Sequence, residues 1–301
     1  TERRAMDYIK IGNLKFSRGV LFILPGILFF GIMVIYPAGY VIYLSLFTEG
    51  KGLGLEPQFI GLKNYTTVFS SRNFFKILSN TLMYSFFATA FHIIIGLFMA
   101  VLLNNKVLKR RTLTIGRSLF LIPWAISPSV VAIMFQVMLH PKVGPVGIIL
   151  RTFNPKIAFN PLGSPSLSLL TVTLTNIWKF TPFYFLILLA GLQAIDDGLY
   201  EAARMDGASG WRQFCDVTLP LMKNYIITLA VFDFVSTAAY MDLTWIMTKG
   251  GPLNSSEVLS TLAYRTSFQN FRFGEGSAVG VLIFLISIIF TTMAMKMMSE
   301  E

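Results

Sequence analysis

The sequence predicts an all-α, polytopic membrane protein with about six transmembrane helices. Two observations carry this. Of 301 residues, 54% are hydrophobic and only 13% are charged, whereas a soluble domain carries about 25% charge. Lipid must therefore face much of the surface. The apolar residues also gather in runs long enough to cross roughly 30 Å of hydrocarbon as helices. The runs are about 20–47, 77–103, 117–139, 166–194, 222–247 and 277–298. Runs this long and uniformly apolar exclude barrel strands, which alternate.

The first run follows Arg3, Arg4, Lys10, Lys15 and Arg18. It is much longer than the roughly 7–15 apolar residues of a signal peptide, and no small-residue cleavage pattern ends it. It reads as a retained span, giving an N-terminal segment, 1–19, and one transmembrane domain, 20–301. The first, second and fourth runs exceed the minimum length, so tilts or kinks are expected. Pro25, Pro37, Pro123, Pro128 and Pro182 fall inside runs. Membrane helices tolerate this where neighbours re-satisfy the freed carbonyls.

Lys and Arg set the orientation. Five precede the first run, and Lys106, Lys109, Arg110, Arg111 and Arg117 lie in segment 104–117. Segment 141–165 has only Lys142, Arg151 and Lys156. The N-terminus, 104–117, 195–221 and the C-terminus are thus expected in the cytoplasm. The outer loops are about 48–76, 140–165 and 248–276. The net charge of +10 is then mostly a topology signal, which argues against nucleic acid as a partner. Cys215 is the one cysteine, so no internal disulfide forms. His92 and His140 have no companions at metal-ligand spacing, so no metal site is expected and both read as structural.

The most informative polar stretch is 195–221. Asp196 or Asp197 is placed to cap a helix over Leu199–Met205. Gly207 and Gly210 permit a turn. Trp211–Val217 suits a second short helix with Trp211, Phe214 and Val217 on one docking face, and Pro220 marks the return toward the membrane. A solvated connecting loop is the alternative.

Within this stretch, Glu201-Ala202-Ala203, Gly207 and Val217-Thr218-Leu219-Pro220 keep every spacing of the EAA signature of ABC importer permeases. Val217 replaces the signature's isoleucine. The chain resembles that family, and within it the carbohydrate-uptake branch of maltose- and glycerol-phosphate-type permeases. Phe59-Ile-Gly61-Leu62-Lys-Asn64-Tyr65, Gly250-Gly251-Pro252, and Tyr264-Arg265-x-x-Phe268 leading into Phe273-Gly274 extend the likeness over nearly the whole chain. The long extra outer domain of the maltose permease's larger subunit is absent from this sequence.

The resemblance implies a type I importer permease whose loop 195–221 carries a coupling helix. That helix docks in a cleft of an ABC ATPase dimer through Glu201, Ala202, Ala203, Arg204, Gly207, Leu219 and Pro220. The chain has no G-x-x-x-x-G-K-[ST] phosphate loop. It is read as a transporter subunit and not an enzyme, with ATP and Mg held by the partner ATPase and no cofactor of its own. The other implied partners are a second permease, read as a different chain, and an extracytoplasmic substrate-binding protein docking near Gly250, Gly251 and Pro252. Membrane lipid and a saccharide substrate complete the set. The implied location is a bacterial or archaeal cytoplasmic membrane. After Pro252, Asn254 and Glu257 are spaced as a capping box.

Polar side chains inside spans cost about 2.5–3.5 kcal/mol when charged and usually face a cavity. Those in the fourth and fifth runs, Asn176, Trp178, Lys179, Tyr184, Asp233, Ser236, Thr237, Tyr240 and Asp242, are the candidates for the substrate path. Aromatic faces beside hydrogen-bonding groups suit sugar rings. The alternative is that Lys179 and Asp233 pair with each other or with a second subunit. Lys179 also raises an anionic sugar, against which Asp233 and Asp242 weigh. Competing readings are an ion-gradient-driven secondary transporter, a membrane-bound enzyme and a scaffold. The first has no use for the EAA loop, the second would need a nucleophile–base pair or clustered metal ligands that His92 and His140 do not offer, and the intramembrane polar cluster argues against the third.

Overall fold

The computed structural model describes residues 8–11, 14–48, 57–104, 109–154 and 159–299. Arg3, Arg4, Lys106 and Lys156 lie outside the described residues. Two short strands, β1 (Tyr8–Ile11) and β2 (Leu14–Ser17), pair antiparallel with Tyr8 opposite Ser17. This hairpin was not expected. Its signal was the period-two alternation of Ile9, Ile11, Leu14 and Phe16 with Lys10 and Lys15.

Among the described residues the other named elements are helices. Five of these are long and apolar enough to cross a bilayer, or six if one bent pair counts as a single span. The first crossing is α1 (Arg18–Phe30), a π-helical turn (Gly31–Ile35) and α2 (Tyr36–Ser45). The Tyr36 N–H bonds to the Gly31 carbonyl, five residues back. The wider turn falls beside Pro37, which has no N–H to give. After the short α3 (Lys63–Phe69), α4 (Phe74–Leu103) makes the second crossing without a break.

The third run, expected as one span, is two helices. They are α5 (Arg110–Ala125) and α6 (Pro128–Met138), bent by 89°. Ile126 and Ser127 between them are extended, with ψ of 139° and 137°. Pro128 disfavours the helical conformation in the residue before it. A surface helix, α7 (Pro145–Phe153), precedes α8 (Ser168–Gln193), the fourth crossing.

The fifth crossing begins earlier than expected. Beyond α9 (Asp197–Met205), α10 (Gly210–Gln213) and a π turn (Phe214–Thr218) run directly into α11 (Leu219–Ala239). Pro220 is therefore not a boundary. It sits in the first turn of α11, where a missing N–H is tolerated, and the Leu219 N–H reaches back to the Phe214 carbonyl. The break falls instead at Tyr240, whose ψ is 121°, before α12 (Asp242–Thr248). The chain ends with α13 (Leu259–Tyr264), a third π turn (Arg265–Gln269) and α14 (Phe273–Ser299).

α4 is the central helix. It packs along α8 and against α11, while α14 packs on α2, α11 and α13. The approach of α4 to α8 needs Gly96, where a Cβ would lie 3.1 Å from the Phe185 nitrogen. Close contact of this kind stands in for the hydrophobic drive that helices lack in lipid. Ile93, Leu97, Phe185, Leu188, Leu192 and Met222 fill the space around it.

Connections gather at two ends. At one, Arg117 donates to the Leu103 carbonyl at 2.6 and 3.2 Å, and Tyr200 hydrogen-bonds Thr218 at 2.9 Å. Asn104, Leu113 and Arg117 line one cavity with Ile195, Asp197 and Tyr200, so segments 104–117 and 195–221 lie side by side. At the other, Asn64 donates to the carbonyls of Ser45 and Phe47, Lys76 to that of Leu253, and Ser168 pairs with Ser255. Asn64 thus closes the C-terminus of the first crossing, where the freed carbonyls need donors.

Candidate coupling loop and buried polar core

The loop after α8 is built by local chemistry. The Asp196 carboxylate accepts the Gly198 N–H at 3.0 Å and caps α9. At the far end, Gly207 has φ of +79°. The Gly207 N–H bonds to the Arg204 carbonyl and the Ala208 N–H to that of Ala203, at 3.0 and 2.9 Å. This paired closure needs a left-handed residue, and glycine adopts that conformation without strain. Ser209 then accepts the Arg212 N–H at 3.4 Å and starts α10.

The loop presents its motif to the outside. Glu201, Ala202, Arg204 and Gly207 are exposed and Ala203 is half-buried. Glu201 and Arg204 lie 3.9 Å apart on the exposed face. Two large apolar side chains stand bare beside them, Met205 at 88% and Trp211 at 73% exposure. Phe214 departs from the expected docking face. It packs into the apolar cluster between α4, α8 and α11, as does Leu219, leaving Trp211 as the face's aromatic residue. Pro220 is exposed.

Most substrate-path candidates lie inside the bundle. The Asp233 carboxylate on α11 is fully buried. One oxygen meets His92 Nδ1 of α4 at 2.7 Å. The other accepts from the Tyr184 hydroxyl of α8 at 2.6 Å and from Thr237 at 2.9 Å. The His92 ring stacks on that of Tyr184, with centroids 4.9 Å apart, and its Nε2 lies 3.3 Å from the Asn176 carbonyl oxygen. The Asn176 amide donates to the Tyr84 hydroxyl at 2.7 Å. Asn176, Tyr184, Asp233 and Thr237 therefore belong to one network.

His92 and Tyr84 belong to it too, and sequence reasoning missed both. The available signal was an ionisable residue inside a strongly apolar span, which needs a partner there.

Lys179 does not pair with Asp233. Its ammonium donates to the Trp124 carbonyl at 2.6 Å and lies over the Phe180 ring. Trp178 points elsewhere, its ring 5.3 Å from that of Phe135. Ser236 is exposed, and Tyr240 and Asp242 are half-buried beside the break after α11. The Tyr240 ring meets the edge of Phe180 at 5.2 Å.

At the opposite end, Gly250 is buried against Glu257, Gly251 and Pro252 are half-buried, and the exposed tip is Leu253, at 81%. The Asn80 amide holds the carbonyls of Asn254, Ser255 and Glu257. The expected capping box does not form. Asn254 has φ of +56°, and α13 starts at Leu259, where the Thr261 hydroxyl accepts the Val258 N–H. Glu257 instead turns inward to Arg265, whose Nη2 lies 2.8 and 2.9 Å from its two oxygens. Burial raises the Glu257 carboxyl above its ordinary range, and Arg265 partly opposes this.

A family model described as the inner membrane component of binding-protein-dependent transport systems matches residues 92–300. The trehalose/maltose transport system permease protein MalF of Thermococcus litoralis is 33% identical over 97% of this chain and 98% of its own. The sulfoquinovosyl glycerol transport system permease protein SmoG of Agrobacterium fabrum is 31% identical over 94% and 90%. Among solved structures, a chain of a bacterial ABC transporter involved in import of the acidic polysaccharide alginate superposes with a TM-score of 0.79. It is 25% identical, with 92% and 93% of the two chains covered. A chain of a bacterial alginate transporter in complex with its pentasaccharide-bound periplasmic protein gives 0.81 at 24% identity, over 93% of each, a likeness of fold.

Proposed function

Because the chain belongs to the inner membrane components of binding-protein-dependent transport systems, we propose that it is the permease subunit of an ATP-driven saccharide importer. The observation that carries the coupling role is the exposed loop Glu201–Pro220. Glu201, Ala202, Arg204 and Gly207 project from the end of the bundle, with Met205 and Trp211 bare beside them, while Thr218 is buried and Leu219 packs into the bundle. Isolated exposed apolar side chains are ordinary, but two beside a spaced motif on a polar loop fit a docking surface.

In this reading the loop seats in a separate ATPase dimer, which binds ATP and Mg and does the hydrolysis. The N-terminus, loop and C-terminus face the cytoplasm of a bacterial or archaeal cell. A second permease, a different chain, completes the path. A binding protein delivers the saccharide to the opposite end, where Leu253 at the tip after Gly250-Gly251-Pro252 is the first surface it would meet.

The path itself is assigned to the residues that remain accessible, Ser236, Tyr240 and Asp242, with Trp178 on the neighbouring helix. Asn176, Lys179, Tyr184, Asp233 and Thr237 each make a side-chain hydrogen bond within the chain, with Asn176 Oδ1 left unpaired, so these residues hold the wall of the path in place.

The test is purification of the complex through a tag on this chain. A co-purifying ATPase, stimulated by one member of a saccharide panel presented with its binding protein, is expected. Uptake that follows an ion gradient, with no ATPase attached, would favour the secondary-transporter reading.

A further inference from the structure

Loop 194–209 joins α8 to α10, which runs through the π turn into α11, so any push on it reaches the membrane through α8 and α11 together. If α8 and α11 could slide past one another, the push would be lost in shear. In their inner halves they meet through apolar side chains, Leu188, Leu189 and Leu192 against Met222 and Leu229. Such packing resists separation but has little directional preference, because lipid is as apolar as leucine.

Directional bonds occur farther in. Tyr184 lies nine residues before the end of α8 and Asp233 fourteen residues after the start of α11. At 1.5 Å per residue these are about 14 and 21 Å from those helix ends. There, one carboxylate bonds all three central helices. Asp233 of α11 takes the Tyr184 hydroxyl of α8 on one oxygen and the His92 ring of α4 on the other, at 2.6 and 2.7 Å. Hydrogen bonds this short in a dry interior are directional and intolerant of sliding.

We infer that Asp233, held by Tyr184 and His92, is a positioning residue that locks α8 and α11 to α4, so that loop displacement moves the three helices as one body. This rests on the coupling role proposed above. A bland core role would also require the bonds, but it predicts a general loss of stability and assembly. A lock predicts instead that the complex assembles and hydrolyses ATP while α8 and α11 move relative to each other.

The complex, purified from its native membrane through this chain, offers the test. Cys215 is replaced by serine, and spin labels are placed at two exposed positions, Leu170 near the outer end of α8 and Ala239 at the outer end of α11. Distances are measured without nucleotide and with ATP and vanadate. The native network should give one narrow distance distribution in both states. In Asp233→Asn and the milder Tyr184→Phe, which removes a single hydroxyl, the distribution should shift by several ångströms or broaden about two-fold on trapping, with ATP hydrolysis persisting. His92→Gln, which keeps a donor, should lie between.

Distributions in Asp233→Asn and Tyr184→Phe that match the native ones would overturn the lock. So would failure of both variants to assemble, because the network would then serve folding alone. Absence of ATP hydrolysis from the native complex is a different failure, and it would sink the importer reading itself.

Discussion

The Lys179 ammonium lies 2.6 Å from the carbonyl oxygen of Trp124. In an unbroken helix that carbonyl would receive the N–H of residue 128, which is a proline. The break between α5 and α6 therefore exposes an acceptor in the membrane interior, and a buried cation on α8 satisfies it. Cations are also favoured at helix C-termini by the peptide dipoles.

Replacing Lys179 by Met removes a charge that costs about 2.5–3.5 kcal/mol to bury. It also leaves the Trp124 carbonyl unpaired, at about 1–3 kcal/mol. The two nearly cancel. Membrane content of Lys179→Met should stay within about two-fold of native, while transport falls about ten-fold as the bend loses its fixed angle. Lys179→Arg, which keeps a donor, should retain more transport. Native uptake kinetics in Lys179→Met, measured in the same membranes, would show that the bond has no part in function.

Tyr240 marks the end of α11, where the backbone leaves the helix and the ring rests on Phe180. Tyr240→Ala removes aromatic surface beside the proposed path without touching the loop at the other end. Saccharide uptake should drop several-fold, on the order of 1 kcal/mol for an aromatic contact. The amount of ATPase recovered with the chain should be unchanged. Loss of the ATPase in a pull-down would move Tyr240 from path to scaffold.

Glu257 supplies a pH dependence at the opposite end. Its carboxyl is raised by burial, with Arg265 opposing. A carboxyl raised on folding binds its proton more tightly in the folded state. Its stabilising contribution is complete below the ordinary carboxylate value and is lost as pH rises through the raised one. Thermal stability should therefore decline over that window, and Glu257→Gln should flatten the decline. Melting curves of the detergent-solubilised protein from about pH 4 to about pH 8 decide this. An equally steep decline in Glu257→Gln would assign the titration to another group.

The crossings were legible from hydropathy because lipid leaves so few alternatives, and the coupling loop was legible because its residues are local in sequence. What could not be read was pairing across helices. His92 gave no sign of Asp233, 141 residues away, and the sequence offered Lys179 only an aspartate or a second subunit as alternative partners, when its partner is a backbone carbonyl. The third span hid its break for a related reason. Prolines 123, 128 and 182 looked equivalent in sequence, and only Pro128 coincides with extended residues on its N-terminal side. The Asn254 and Glu257 spacing misled because a buried ion pair with Arg265 outweighed a local cap.

The central claim is that the loop with Gly207 at its turn transmits ATP hydrolysis to the membrane. Gly207 has φ of +79°, and a Cβ there would meet no atom of this chain within 4 Å. Gly207→Asp should therefore insert normally, at a local cost of about 1–2 kcal/mol, and fail only where the loop meets its partner. The decisive measurement is ATP-dependent saccharide uptake by Gly207→Asp, normalised to the amount of protein in the membrane. Native membrane content with uptake abolished is the predicted result, and native membrane content with full uptake would contradict the account.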